Sequence, residues 1–259
     1  MFGPISPAFL PPHSEHIPAS AFDETRPFRH DAAVDAADPD ARWATFDCYG
    51  TLVDWNGGVG GELSRLFGEE RRADLLERYH EIERRVEAAQ PGAPYREVLA
   101  ECLAGCAEAA GAELPASERD AFARSLPDWP VFDEVPAALA ELRDRGWRLA
   151  ILSNTDRDFI EASMRSIGVP FELAIVASEV GSYKPADGHW RAFGDQTGAK
   201  PERHVHVAAS LFHDVEPCSR LGVPCVWINR LSEGVEHGPV AELADLSALP
   251  DTLDGVLPV

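Results

Sequence analysis

Five short apolar runs, each stopped by a polar or turn residue, constrain this chain more than any other feature. They are Trp43–Phe46, Arg148–Leu152, Leu173–Ala177, Val205–Ala209 and Cys225–Ile228. Short, near-continuous apolar runs without alternation suit strands buried on both faces, as in a parallel sheet. Helical periodicity fills the intervals between the later runs. Val135, Ala138, Leu139 and Leu142 share one face of a helix that Asp133 can cap and Gly146 ends, and a second helix runs from about Asp156 to Ile167 and ends at Gly168. Strand, helix, strand repetition requires right-handed crossovers. The expected fold is therefore α/β, a Rossmann-like parallel sheet core with helices on both faces.

Four of the five runs begin after Arg148, and the segment 57–128 has a different pattern. Leu75, Leu76, Tyr79, Ile82 and Val86 form one helical stripe, and Tyr95, Val98, Leu99, Cys102, Leu103 and Cys106 another, with no strand between them. This predicts an all-helical cap over 57–128, inserted after the first strand into a core made of 41–56 and 129–259. Residues 1–40 carry Pro4, Pro7, Pro11, Pro12, Pro18, Pro27 and Pro39 without apolar periodicity, which reads as an irregular arm. Phe9, Leu10, Phe22 and Phe28 are apolar anchors with which that arm could wrap the body or a partner subunit.

Charge narrows the partners. The 44 acidic residues against 23 basic ones give a net charge of −21, which disfavours nucleic acid and anionic membrane surfaces. No run reaches the roughly 18 apolar residues of a membrane span, and the N-terminus lacks a secretory pattern, so a cytoplasmic protein is expected. Cys48, Cys102, Cys106, Cys218 and Cys225 show no CxxC spacing and read as reduced thiols used in packing.

In an open parallel sheet the ligand crevice lies beyond the carboxyl ends of the strands. That rule selects Asp47 with Thr51, Ser153 with Asn154, Ser178, the stretch Ser210 to Asp214, and Asn229. Lys184 follows the third run by a short loop. Lys184 and Lys200 are the only lysines in a chain that otherwise uses arginine, which hints that a compact ammonium is wanted at 184. A carboxylate held dry, aimed at an electrophile and faced by an ammonium can act as a nucleophile, so Asp47 and Lys184 form a natural pair. Each residue also has a structural reading: Asp47 as a turn residue, Asp214 as the N-cap of a helix ending near Gly222, and Ser153, Asn154 and Thr155 as caps.

Taken together, DCYGT at Asp47–Thr51, LSNT at Leu152–Thr155, SYKP at Ser182–Pro185 and SLFHD at Ser210–Asp214 resemble, in order, the four motifs of the haloacid dehalogenase superfamily. Phosphatases of that superfamily carry a second aspartate where this chain has Tyr49; the type II, L-2-haloacid dehalogenase group shows DxYGT there. The resemblance implies a hydrolase in which Asp47 displaces halide from carbon 2 of a small anionic 2-haloacid or haloacetate, giving an ester that water then cleaves. It implies that Thr51 and Lys184 position Asp47, that Ser153 and Asn154 hold the substrate carboxylate, and that Asp214 orients water. Tyr49, Ser210 and a halide-accepting Arg78 would complete the substrate site, with Trp190 where the group carries a tyrosine. No metal or other cofactor is implied, and the likeness suggests a homodimer.

The chain departs from the group at Ala209 and Leu211, where serine and asparagine are usual, and Ser210 and His213 are the residues at hand to take over hydrogen bonding. Three alternatives stay open. One is ring-opening hydrolysis of a strained cyclic amino acid by the same nucleophile. Another is a Mg²⁺-dependent phosphatase with Asp47 and Asp214 on the metal. The last is a non-catalytic interaction module working through the proline-rich arm.

Overall fold

The computed structural model describes residues 40–234 and 238–258, so the proline-rich segment and its apolar anchors lie outside the described residues. All five apolar runs form strands: β1 (Arg42–Phe46), β2 (Trp147–Ser153), β3 (Leu173–Val176), β4 (His204–Ala208) and β5 (Cys225–Ile228). A sixth, β6 (Ala241–Leu243), was not anticipated; three residues with a glutamate at the centre give no periodic signal. The strands lie in the order β3-β2-β1-β4-β5-β6, and every pairing is parallel. Every residue of the central strands β1 and β4 is buried, the pattern expected of strands covered on both faces.

From β1 the chain builds outward through β2 and β3, then crosses back to β4 on the other side of β1. The gap between the carboxyl ends of β1 and β4 is therefore the switch point where a crevice forms. Pairing continues past β1 there, with Asp47 N donating to Val207 O at 3.0 Å.

Helices α1 (Trp55–Phe67), α2 (Arg72–Ala89), α3 (Tyr95–Ala109) and α4 (Ala121–Ser125) all fall between β1 and β2. Asp54 starts α1 by accepting from Gly57 N at 2.8 Å. Leu75, Tyr79 and Val86 of α2 and Val98, Leu99, Cys102 and Cys106 of α3 bury one stripe each, and join the same apolar cluster as Phe46, Ile151 and Val207 of the sheet. A core carboxylate ties this segment down. Asp156 accepts from Tyr95 N at 2.9 Å and from Arg96 N at 3.1 Å, satisfying free amides in the first turn of α3.

The remaining helices are α5 (Val135–Asp144), α6 (Arg157–Ile167), α7 (Ala177–Val180), α8 (Gly188–Thr197), α9 (Glu216–Leu221) and α10 (Leu249–Val256). Two starts differ from the sequence reading. Glu134, not Asp133, precedes α5, and no side chain caps it; Pro136 in the first turn removes one of the amides that a cap would serve. Asp156 flanks α6 but spends its carboxylate on α3. Gly168 closes α6 in the left-handed region as expected. The five cysteines are free and buried.

Candidate active site

The loop after β1 must turn sharply to reach α1. Cys48 O accepts from Leu52 N at 2.8 Å and Val53 N at 3.0 Å, and Gly50 takes φ 91°, a conformation that strains residues with a Cβ. The turn brings Thr51 back under Asp47. Thr51 Oγ1 donates to Asp47 Oδ2 at 2.9 Å and accepts from Ala209 N at 2.9 Å, linking the loops after β1 and β4.

Lys184 enters from the loop after α7, its side chain 1% exposed. Its ammonium donates to Asp47 Oδ1 at 2.9 Å, Leu152 O at 2.9 Å and Asp214 Oδ1 at 2.6 Å, using all three protons. Burial alone would push its pKa down; the Asp214 and Asp47 carboxylates outweigh that and raise it. Asp214 is moved the other way. Burial favours its neutral form, but Lys184 and His206 prevail and hold it below the usual carboxylate range.

Asp214 sits in a wide helical turn, Leu211–Val215, before α9, with Asp214 N and Val215 N both 3.2 Å from Ser210 O. Such π-type turns are rare and tend to occur at functional sites. Ser210 Oγ caps the turn by accepting from His213 N at 3.1 Å. Behind Asp214 a buried polar chain crosses the sheet. His206 Nε2 lies 3.0 Å from Asp214 Oδ1, its Nδ1 2.8 Å from Thr45 Oγ1, and that hydroxyl 2.6 Å from His204 Nε2. Burial pushes the His204 pKa down to about 3, so this end of the chain is neutral. Asp214 Oδ2 and Ser153 Oγ are buried with no hydrogen-bond partner among the described residues, and both residues line the cavity. The space before Asp47 is a cavity of about 560 Å³.

Asp47, Tyr49, Ser153, Asn154, Lys184, Ser210 and Asp214 therefore meet around one cavity, with Thr51 directly behind Asp47. Asn154 is otherwise occupied than expected. Its Oδ1 accepts from Lys184 N at 2.7 Å and its Nδ2 donates to Lys184 O at 3.1 Å, so its amide clips the lysine loop. Tyr49 points its hydroxyl at Ser163 Oγ, 3.1 Å away, and burial pushes the phenol pKa well above its ordinary value.

Two expectations fail. Arg78 lies on the outer face of α2, its side chain 52% exposed and paired with Asp74 at 3.1 Å, because the helix turns Tyr79 inward in its place. Replacing Arg78 with Ala should leave turnover within about twofold and the melting temperature unchanged, as for other exposed helical ion pairs. A large loss of activity in steady-state assays would return Arg78 to the site. Trp190 is a core residue of α8, packed with Trp43, Phe193 and Trp227 and 5.7 Å from the His206 ring, away from the cavity. Ser178 is exposed on α7, and Asn229 spends its amide on Glu233 O and Glu242.

The sequence reading passed over the α2 side of the cavity, which presents Glu83 and Glu87 beside Tyr95, His80 and His213. The signal was available: Tyr79, Glu83 and Glu87 follow one another at helical i, i+4 spacing, which sets two carboxylates on the buried face. Tyr79 and Tyr95 hydroxyls donate to Glu83 Oε1 at 3.1 and 2.8 Å. Arg230 also lines the cavity; its Nη2 donates to Glu134 at 2.6 Å and Thr51 O at 2.9 Å, while its Nε has no partner among the described residues.

Comparison with known proteins gives the family and the fold. A (S)-2-haloacid dehalogenase of Pseudomonas sp. strain YL is 27% identical over 220 residues, covering 81% of this chain and 93% of that protein. A phosphoserine phosphatase of Thermus thermophilus is 34% identical over 159 residues, 59% of this chain and 63% of its own length, so the match spans less than two thirds of that enzyme. Among solved structures, the L-2-haloacid dehalogenase of Xanthobacter autotrophicus superposes with a TM-score of 0.73 at 20% identity, over 83% of this chain and 99% of that one, a likeness of fold. The family model for haloacid dehalogenase-like hydrolases matches residues 41–222, which takes in every cavity residue from Asp47 to Asp214, and the chain belongs to that family of hydrolases.

Proposed function

We propose that the protein hydrolyses a small carboxylic acid substituted at carbon 2, by attack of Asp47 on that carbon and hydrolysis of the resulting aspartyl ester. The observation that carries this reading is the fixing of both Asp47 oxygens at the cavity wall, Oδ1 on Lys184 and Oδ2 on Thr51. A carboxylate oriented in that way loses little freedom on reaching an in-line geometry. Asp214 Oδ2, buried and without a partner, is suited to accept from the water that attacks the ester carbonyl, and Ser153 Oγ to donate to the substrate carboxylate.

The leaving group departs without a proton from the enzyme. Where a phosphatase of this family has its acid, Tyr49 offers a hydroxyl turned onto Ser163. Halide meets that condition, and the (S)-2-haloacid dehalogenase among the relatives supports a 2-haloacid or haloacetate. Halide release from chloro- and bromoacetate and from both 2-chloropropionate enantiomers, measured by ion chromatography, tests the haloacid form. No halide from any of them would sink it. Tyr49→Phe should keep kcat within about threefold, whereas loss of a general acid costs roughly 10²- to 10⁴-fold.

The phosphatase relative raises a magnesium site on Asp47 and Asp214. The residues do not fit it. Lys184 places an ammonium on both Oδ1 atoms, a positive charge that opposes a divalent cation at the same oxygens, and among the described residues no third His, Cys, Asp or Glu side chain joins Asp47 and Asp214 in a group that could hold a metal.

A further inference from the structure

We propose that the substrate carries a protonated amine as well as its carboxylate, and that the ammonium is seated on Glu83 and Glu87 of α2, across the cavity from Asp47. The inference rests on the reading of Asp47 as the attacking group and adds the chemical class of the molecule it attacks. Its basis is a mismatch of charge. Glu83 and Glu87, 7% and 6% exposed, line the same cavity as Asp47, Ser153 and Lys184. Two carboxylates taken out of water require compensating positive groups.

Among the described residues one cationic group serves the two, while Glu83 Oε1 takes the Tyr79 and Tyr95 hydroxyls. His213 Nε2 lies 3.3 Å from Glu87 Oε2, without the geometry of a hydrogen bond. The other basic side chains of the cavity are committed or distant in character: Lys184 is saturated by Asp47, Asp214 and Leu152 O, Arg230 is bound to Glu134, Arg84 is exposed, and burial holds His80 neutral with a pKa of about 4. Burial and the Glu87 charge push the Glu83 pKa up to about 8, so without a further cation beside it Glu83 keeps its proton.

These carboxylates are close to the chemistry. Glu87 Oε1 is 3.4 Å from Asn154 Nδ2, the amide that clips the Lys184 loop, and its other oxygen meets the neighbour of Asp214. A second observation points to a ligand in this space: Ser153 Oγ, in a residue 1% exposed, has no partner among the described residues. A cavity of about 560 Å³ also suits a molecule larger than a two-carbon acid. An anionic leaving group pressed against α2 would meet like charge, since Arg78 faces solvent. An ammonium there would gain charge-assisted hydrogen bonds.

The test compares 4-aminobutanoate with pentanoate, which places a methyl where the ammonium stands, by calorimetry on the full chain and on Asp47→Asn. The amino acid should bind about tenfold or more tightly, as hydrogen bonds to charged groups imply. In Glu83→Gln and Glu87→Gln that ratio should fall at least fivefold, and, being internal to each variant, it is insensitive to partial loss of folded protein. Likewise 2-chloro-4-aminobutanoate should exceed 2-chloropentanoate in kcat/KM. Equal binding of the two acids, or a ratio unchanged in both variants, overturns the proposal. Failure of the Asp47 reading registers separately, as turnover that survives Asp47→Asn, because the binding ratio needs no chemistry.

Discussion

Asp47→Asn should lower turnover by about 10⁴-fold or more, the loss typical of removing a covalent nucleophile. The fold should persist, because Lys184 keeps Asp214 Oδ1 and Leu152 O as acceptors after Asp47 loses its charge. The decisive measurement is a single turnover in heavy-oxygen water with enzyme in excess. If Asp47 forms an ester through its own oxygen and water attacks the carbonyl carbon, the heavy atom enters Asp47 and the first product molecules carry none. Mass spectrometry of the peptide containing Asp47 reads this directly. Label appearing in the product at the first turnover would instead make Asp47 a base acting on water, and the ester mechanism would be wrong.

Lys184→Met should cost about 3–5 kcal/mol at pH 7, the penalty for leaving buried charges without their partner. Asp214 is 1% exposed and Asp47 nearly buried, so neither can recover its ammonium from solvent. The pH dependence carries a sign that simple loss of packing does not. In the parent protein the folded-state pKa of Asp214 is lowered, so its pairing stabilises fully above the ordinary carboxylate range, weakens as pH falls below that range and is gone only below the lowered folded-state pKa. Without Lys184, burial works against the Asp214 charge with His206 left to oppose it, so the Asp214 pKa rises from its lowered value and the folded variant takes up protons at higher pH than the parent. Its stability should therefore rise relative to the parent as pH falls from about 7 to about 5. Urea unfolding midpoints at both pH values measure the gap. A gap that stays constant would show that the ammonium contributes bulk and not charge.

The strands were legible because central parallel strands are buried on both faces and so read as unbroken apolar runs. Cys225–Ile228 has the same limits in the sequence reading and in the structure, and β1 differs by one residue. The edge strand Ala241–Leu243 was hidden because three residues with little burial leave no pattern. Site residues that immediately follow strands were legible for a related reason: the chain must place them at the crevice whatever the loops do. Residues on helices were not. Whether Arg78 or His80 lines the cavity depends on the rotation of α2 about its axis, set by packing of Tyr79 against Trp55 and Phe122 in the core. Trp190 follows the lysine in sequence, but α8 turns it into the core beneath the sheet.

What the sequence determined by itself was the α/β topology and the meeting of Asp47, Ser153, Lys184 and Asp214, since these follow from strand order and from polar residues at strand ends. The tertiary structure alone decided what stands opposite them. Glu83 and Glu87 are distant in sequence from every strand motif, and they reach the cavity because the apolar stripe of α2, packed on α3, fixes its rotation and Asp156 pins the start of α3 to the core. The tertiary structure also decided where the Tyr49 hydroxyl is held, on Ser163 of α6, which the motif position of Tyr49 does not reveal.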